Sequence, residues 1–194
     1  GALARLRDKR TPPPEFRERM AEAGEFLALE ALRELKTQLV SVNTPLKSVS
    51  VSVPRQRIAL AAVLRAGLGF VPGISRLLPE APIGHIGLYR NEETLNPVRY
   101  YVRLPKELDR CLVLLLDPML ATGGSAAEAV RILKTDGAQS IVLLTLLATK
   151  TGIARVQKDH PDVRIVTGAI DPVLNEIGYI VPGLGDAGDR LFGT

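Results

Sequence analysis

The sequence has few of the residues that build disulfides, metal centres and aromatic surfaces, since its 194 residues include one cysteine, two histidines and no tryptophan. The single Cys111 cannot form an intramolecular disulfide, which favours a reducing, cytoplasmic setting. Cys111 also begins an apolar run, so a core position is expected rather than a nucleophile. His85 and His160 lack a second ligand at suitable spacing, and we expect structural roles for both and no metal held directly by side chains.

Long apolar runs are missing as well. The runs 112–116 and 141–147 are too short to span a bilayer, and no secretory signal pattern opens the chain, so no membrane partner is expected. The formal net charge of +4 suits binding of an anionic small substrate as well as binding of nucleic acid. The excess of Lys and Arg is equally compatible with an ordinary solvated surface that has no anionic partner. Because no RNA- or DNA-binding signature is present, no nucleic-acid partner is predicted.

What the chain does contain is enough apolar residues, 46% of the total, to bury one sizeable core in a single domain of residues 1–194. An apolar stripe follows a proline-rich entry in residues 1–40, which predicts N-terminal helices. The apolar period changes to two in residues 41–57, which predicts a small β arm. Residues 58–194 are then the core, together with a glycine-rich C-terminal loop.

Short apolar runs recur through the core and alternate with helical segments, of which 126–134 is the clearest. Runs of near-continuous hydrophobicity suit strands that are covered on both faces, as in a parallel sheet. The alternation predicts a doubly wound α/β domain with a mostly parallel sheet flanked by helices. The predicted strands are 58–64, 83–88, 111–116, 141–148 and 163–170.

Residues 91–104 fit neither period well and predict a mobile loop or a hairpin. Connections of this length are uncommon unless they are functional, so a flap that covers a substrate is one interpretation. A plain surface loop is the other.

The most informative segment is Asp117-Pro118-Met119-Leu120-Ala121-Thr122-Gly123-Gly124-Ser125, called here the phosphate loop. It follows an apolar strand and precedes a helix, and adjacent glycines let several backbone N–H groups point at one anion. Ser125 and Glu128 match a capping-box pattern for the start of that helix. The loop therefore predicts phosphate binding, with a tight strand-to-helix turn as the alternative. A nucleotide-hydrolysing P-loop is excluded because no Gly-Lys-Ser/Thr follows.

This segment resembles the phosphoribosyl pyrophosphate (PRPP) loop of type I phosphoribosyltransferases, and its spelling, with Pro118 included, resembles the uracil branch. The resemblance implies that Ala121 to Ser125 hold the 5′-phosphate and that Asp117 accepts hydrogen bonds from the ribose hydroxyls. It assigns to PRPP binding the whole stretch of Asp117, Pro118, Met119, Leu120, Ala121, Thr122, Gly123, Gly124 and Ser125.

Two arginines follow predicted strands. Arg65 lies in a glycine-bearing turn, where its planar guanidinium can grip a diphosphate, although a plain surface arginine is the alternative. The run from Val63 to Gly69 resembles the pyrophosphate loop of the uracil branch, which makes Arg65 a ligand. Arg90 ends the second strand, and the run from Gly87 to Leu95 also resembles the branch, which implies that Arg90 contacts PRPP.

The last glycine-rich segment, residues 178–188, is called here the terminal loop. Gly183 to Gly188 spells G-x-G-x-x-G, yet too few residues follow to complete a dinucleotide-binding unit. Glycines allow close backbone approach to a flat ligand, and a disordered tail is the alternative. The segment resembles the uracil-binding loop. The resemblance places Ile180, Gly185, Asp186 and Ala187 around the base, with Asp186 also reaching PRPP.

The resemblance implies transfer of a phosphoribosyl group from PRPP to uracil, with Asp117, Arg65 and Asp186 as the catalytic residues. It further implies Mg²⁺ carried by the diphosphate near Asp186, a homodimer or larger homo-oligomer and, in some relatives, activation by GTP. The alternatives are a phosphoribosyltransferase for another base, such as a purine or orotate, and an RNA-binding regulator that keeps the PRPP site. One departure is Thr149-Lys150-Thr151-Gly152, where the branch commonly has Pro-Glu before the glycine.

Overall fold

The fold is built around a seven-stranded sheet in a computed structural model that describes residues 1–90 and 97–194. Its strands are β3 Arg57–Leu64, β4 Ile83–Arg90, β5 Pro97–Arg103, β6 Cys111–Leu116, β7 Met119–Leu120, β8 Ser140–Thr149 and β9 Arg164–Asp171. The strand β3 lies between β4 and β6, and β8 pairs with β6, β7 and β9. All of these pairs are parallel, whereas β5 runs antiparallel to β4.

Helices cover both faces of this sheet, as the continuous apolar strands require. Every residue of β6 is buried, with Leu114 and Leu116 directed to one apolar cluster and Val113 and Leu115 to the other. The first cluster includes residues of α1 Ala2–Arg7, α2 Pro13–Leu32, α3 Val71–Leu77 and α6 Ala187–Phe192. The second includes residues of α4 Gly124–Thr135 and α5 Lys150–Asp159. The predicted doubly wound α/β fold is confirmed.

Two small hairpins stand apart from the main sheet. The arm pairs β1 Thr37–Asn43 with β2 Ser48–Pro54, and the second hairpin pairs β10 Val173–Leu174 with β11 Ile180–Val181. The arm begins at Thr37, earlier than the period-two pattern suggests, because Thr37 and Gln38 are polar and show no apolar alternation. Short 3₁₀ turns occupy Ala66–Gly69 and Leu108–Arg110.

The predicted loop or hairpin over 91–104 is a hairpin where the structure describes it, since Pro97–Arg103 pairs with β4. Residues 91–96 lie outside the described residues, and the flap interpretation falls partly on them. Within the two described ranges, no helix combines the length and hydropathy that a membrane crossing requires.

Candidate active site

The candidate site lies at the carboxyl ends of β3 and β6, where ligands bind in open α/β sheets. Gly67 brings the two ends together, since a Cβ built on it would overlap the carbonyl oxygen of Leu116. The turn after β3 therefore packs directly against the end of β6, and Arg65 and Asp117 open onto one cleft. This cleft has a volume of about 230 Å³ and is lined by Arg65, Asp117, Met119, Ser125, Asp186 and Gly188, among others.

The phosphate loop lines a second cleft of about 170 Å³, which shares Asp117, Met119 and Ser125 with the first. Gly123 has a φ of 80°, a conformation that favours glycine. A Cβ built on Gly123 would lie 2.6 Å from the carbonyl oxygen of Gly152, at the start of α5. The structure thus brings together the predicted phosphate-loop residues Asp117, Met119, Leu120, Ala121, Thr122, Gly123, Gly124 and Ser125.

The carbonyl oxygen of Pro118 accepts hydrogen bonds from the amides of Leu146 and Leu147 on β8, both at 3.0 Å. The predicted contact of Pro118 with PRPP stays a prediction. The capping-box prediction is wrong, because α4 begins at Gly124 with Gly123 as its N-cap and no side-chain cap. The positive φ of Gly123 starts the helix early, so Ser125 falls inside the first turn. Glu128 pairs with Arg131 instead, at 2.6 Å.

Asp117 is buried, with 9% of its surface exposed. Burial raises the pKa of its carboxyl group to about 6, and a hydrogen bond from the backbone N–H of Met119 opposes that shift. This bond is long, at 3.4 Å, so it compensates the buried charge weakly. A carboxylate with little internal support is well suited to accept hydrogen bonds from ligand hydroxyl groups.

Arg65 is half exposed and joins the end of β3 to the C-terminal helix. Its Nη2 lies 2.7 Å from Oδ1 of Asp189, and its Nη1 donates to the hydroxyl of Thr194 at 3.3 Å. Gly188 lies beside this pair, and a Cβ built there would lie 3.7 Å from Nε of Arg65, an ordinary van der Waals contact. Asp189 and Thr194 were missed from the sequence, although an acidic residue three positions after Asp186 was a usable signal.

The terminal loop forms a short hairpin and the start of α6, so the alternative of a disordered tail is not supported. Asp186 is exposed and caps α6, with its Oδ1 accepting from the amide of Asp189 at 2.8 Å. Ile180 and Ala187 are buried, whereas Gly185 is exposed with a φ of 80°. Of the four predicted base-site residues, Asp186 lines the cleft beside Arg65.

Three side chains outside the terminal loop hold it in place. The carboxylate of Asp171, at the end of β9, accepts from both terminal nitrogens of Arg7 at 2.8 and 2.6 Å and from the amide of Gly183 at 2.8 Å. These hydrogen bonds lower the pKa of Asp171. Arg7 also donates to the carbonyl of Gly183 at 2.9 Å. Arg190 donates to the carbonyls of Leu6, Asp8 and Leu184. No motif in the sequence pointed to these supports.

The remaining residues singled out in the sequence are Arg90, Cys111 and His160. The side chain of Arg90 lies outside the described residues, so its predicted contact with PRPP stays a prediction. Cys111 is buried, and burial raises the pKa of its thiol. His160 ends α5, and its Nε2 lies 3.0 Å from the carbonyl of Ala127. Across residues 1–90 and 97–194, no group of three His, Cys, Asp or Glu residues could hold a metal ion.

Comparison with known proteins covers the whole chain. The family model described as uracil phosphoribosyltransferase matches residues 1–194. The curated uracil phosphoribosyltransferase of Thermus thermophilus is 52% identical over 193 residues, which are 99% of this chain and 93% of that protein. The protein of the same name from Halalkalibacterium halodurans is 51% identical, with 99% and 92% covered.

Solved structures agree on the fold. The AQ2163 protein from Aquifex aeolicus superposes with a TM-score of 0.94 at 36% identity, covering all of this chain and 93% of that one. A purine phosphoribosyltransferase from Pyrococcus horikoshii has a TM-score of 0.52 at 19% identity, covering 81% and 93%. The second likeness shows the fold alone.

Proposed function

The chain belongs to the uracil phosphoribosyltransferase family, and we propose that its active site is the cleft between Arg65, the phosphate loop and the terminal loop. As a phosphoribosyltransferase it acts on PRPP, and the substrates of the family are uracil and PRPP, which give UMP and pyrophosphate. The observation that carries the proposal is the meeting of Arg65, Asp117, Ser125 and Asp186 around one cleft. These residues come from three separate motifs of the sequence, namely the turn after β3, the phosphate loop and the terminal loop.

The phosphate loop holds the ribose 5-phosphate end of PRPP. Its glycines and the first turn of α4 present backbone N–H groups at the positive end of a helix dipole. Asp117 accepts from the ribose hydroxyls, and Arg65 grips the diphosphate through its planar guanidinium. In the ligand-free protein Asp189 neutralises Arg65 at 2.7 Å, so the diphosphate has to share or replace that partner.

The terminal loop recognises the uracil base. Uracil presents two carbonyl acceptors on either side of one N–H donor, a pattern that backbone groups near Ile180 and from Gly185 to Ala187 can match. The positive φ of Gly185 supports close backbone approach to a flat ring. The hydrogen bonds that Arg7, Asp171 and Arg190 make to this region fix its backbone before the base arrives.

The reaction is a substitution at the anomeric carbon through an oxocarbenium-like transition state. The bond from that carbon to N1 of uracil forms, the bond to the pyrophosphate oxygen breaks, and N1 loses its proton. The protein contributes mainly by holding the reactants in line and by stabilising the charge of the leaving diphosphate. Mg²⁺ bound with the diphosphate would neutralise part of that charge. The exposed carboxylate of Asp186 fits an ion that arrives with its substrate.

Three further properties are part of the proposal. The arm exposes Leu39, Val42, Leu46 and Val49, which supports association with a second copy of the chain. Activation by GTP and a cytoplasmic location stay predictions from the sequence. Neither a purine-using enzyme nor an RNA-binding regulator is favoured by the family match.

Pyrophosphate release with uracil, 5-fluorouracil, cytosine, hypoxanthine and adenine tests the proposal. Cytosine reverses part of the hydrogen-bonding edge, and buried polar sites discriminate such analogues by roughly 10⁴–10⁵-fold. We expect turnover with uracil and 5-fluorouracil and little with the other three bases. A preference for a purine, or equal rates with cytosine, would overturn the assignment of uracil but not that of the phosphate loop.

A further inference from the structure

The phosphate loop rests on the end of β8 and the beginning of α5. Its strand β7 pairs with Leu147 and Ala148. A Cβ built on Gly152 would lie 2.5 Å from the carbonyl oxygen of Ala121 and 2.6 Å from that of Leu120. Such close approach leaves no room for an intervening water molecule. The loop therefore takes its position directly from β8 and α5.

Two threonine hydroxyls make the polar part of this contact. Thr145 accepts from the amide of Leu120 at 3.2 Å and donates to the carbonyl of Leu147 at 3.0 Å. Thr149 accepts from the amide of Gly152 at 2.9 Å and donates to the carbonyl of Ala121 at 2.6 Å. Both side chains are buried. Each hydroxyl acts as donor and acceptor at once, which valine, its closest apolar analogue in shape, cannot do.

Thr149 lies at the point where the sequence departs from the pattern of the uracil branch. In place of Pro-Glu before the glycine, this chain has Lys150-Thr151 before Gly152. A proline at the first helical position would fix the start of α5 by its ring. Here α5 begins at Lys150, and the Thr149 side chain caps it through the amide of Gly152. The same hydroxyl also reaches the phosphate loop.

We propose that Thr149 is a positioning residue for PRPP, acting through the carbonyl of Ala121. The peptide unit is planar, so holding that carbonyl also fixes the tilt of the peptide between Ala121 and Thr122. This peptide begins the run of amides that leads into α4. A helix cap on α5 and the geometry of the phosphate loop thus depend on one hydroxyl group. The inference rests on the proposed role of the loop in binding PRPP.

The test compares Thr149→Val, which removes the hydroxyl, with Thr149→Ser, which keeps it. The matched control is Thr167→Val on β9, because the Thr167 hydroxyl also donates to a strand carbonyl, that of Ala169 at 3.0 Å, rather than to the phosphate loop. We expect Thr149→Val to raise the Kd and KM for PRPP about tenfold, since a buried acceptor and donor lose their partners. The KM for uracil should stay within about twofold, as should every constant of Thr149→Ser and Thr167→Val.

A folded Thr149→Val protein with the wild-type Kd for PRPP would overturn the inference, and so would equal rises in the KM for PRPP and for uracil. If Thr149→Val does not fold, Thr149→Ala removes the same hydroxyl, leaves room for a water molecule and is judged by the same criteria. Titration of wild-type protein with PRPP separates the two proposals. Failure of the wild type to bind PRPP would refute the proposed function itself, whereas normal wild-type binding with unchanged variants refutes the role of Thr149 alone.

Discussion

The phosphate loop and the terminal loop meet in one cleft but are held in different ways. The phosphate loop is supported by neighbouring elements, namely β8, the start of α5 and the first turn of its own helix. The terminal loop is supported by contacts between the two ends of the chain. Arg7 donates to Asp171 and to the carbonyl of Gly183, which are 164 and 176 positions away, and Arg190 donates to the carbonyl of Asp8, 182 positions away. One site is therefore local in sequence, and the other depends on both ends of the chain.

This difference separates two tasks of the enzyme. In the proposed site, recognition of the phosphate depends on the sheet and on the start of a helix. Recognition of the base would depend on how α1 packs against the C-terminal segment. The ion pair between Arg65 and Asp189 at 2.7 Å joins the turn after β3 to α6, beside the cleft that both loops line. Variants that damage one region and spare the other therefore test whether the two tasks are separable.

The largest effect is expected from Gly123→Ala, which should reduce kcat/KM for PRPP at least about 100-fold. The new Cβ would lie 2.6 Å from the carbonyl of Gly152 and would push the loop away from α5, and displacements of about 1 Å can cost this much. Isothermal titration calorimetry should show the loss in PRPP affinity.

The matched control for that variant is Gly137→Ala. Gly137 also has a positive φ, of 94°, but a Cβ there would meet nothing closer than 3.9 Å. Both variants bear the strain of a left-handed residue, roughly 1–2 kcal/mol, and only Gly123→Ala also displaces the loop. Normal PRPP affinity in a folded Gly123→Ala protein would show that the phosphate site does not need this close packing.

The second effect concerns the ion pair between Arg65 and Asp189. Arg65→Ala should lower kcat/KM at least about tenfold, because a charged hydrogen-bond partner typically contributes ~1.5–3 kcal/mol. Arg57→Ala is the control, since Arg57 forms a comparable exposed pair with Glu107 at 3.2 Å from the opposite end of β3. Steady-state kinetics with both substrates provide the measurement. Unchanged kinetics for Arg65→Ala would show that Arg65 does not contribute to the active site.

The same contrast explains what the sequence could predict. The phosphate loop was predictable because its determinants, a buried strand, an acid, two glycines and a helix, lie within about a dozen residues. The strands were predictable because burial on both faces leaves continuous apolar runs. Arg7 was not, because a side chain that supports a loop from 176 positions away produces no periodicity or spacing in the sequence. Asp171 was not, because its partner Arg7 lies 164 positions away. The capping-box error arose because the left-handed conformation of Gly123 moved the helix start.

The third effect should be confined to the base. Asp171→Asn removes a charge that binds Arg7 and the amide of Gly183, so we expect the KM for uracil to rise about tenfold. The Kd for PRPP should stay within about twofold, because the phosphate loop has other supports. Asp162→Asn, which breaks the surface pair with Lys134, is the control and should change neither constant. Equal losses for both substrates in Asp171→Asn would show that the two regions are not separable.

The smallest effect is a gain in stability, and it comes from Asp117. Burial raises the pKa of this carboxyl group from 3.8 to about 6, so the folded protein binds the proton more tightly than the unfolded chain. The buried charge therefore destabilises the fold increasingly as the pH rises from about 4 to above 6. Asp117→Asn has no such charge and should unfold at a higher temperature than wild type at pH 8, by roughly 2–6 °C. At pH 5, where Asp117 is largely protonated, this difference in melting temperature should shrink.

Turnover should fall in the Asp117→Asn variant, because an amide cannot accept from both ribose hydroxyls as a carboxylate does. Wild-type turnover should also decline as the pH falls through about 6.

Thermal melts at pH 8 and pH 5 measure the gain in stability. Asp159→Asn is the control, because it removes an exposed acid and should not raise the melting temperature. A melting temperature for Asp117→Asn below that of wild type at pH 8 would mean that the carboxylate of Asp117 supports the fold as well as the reaction.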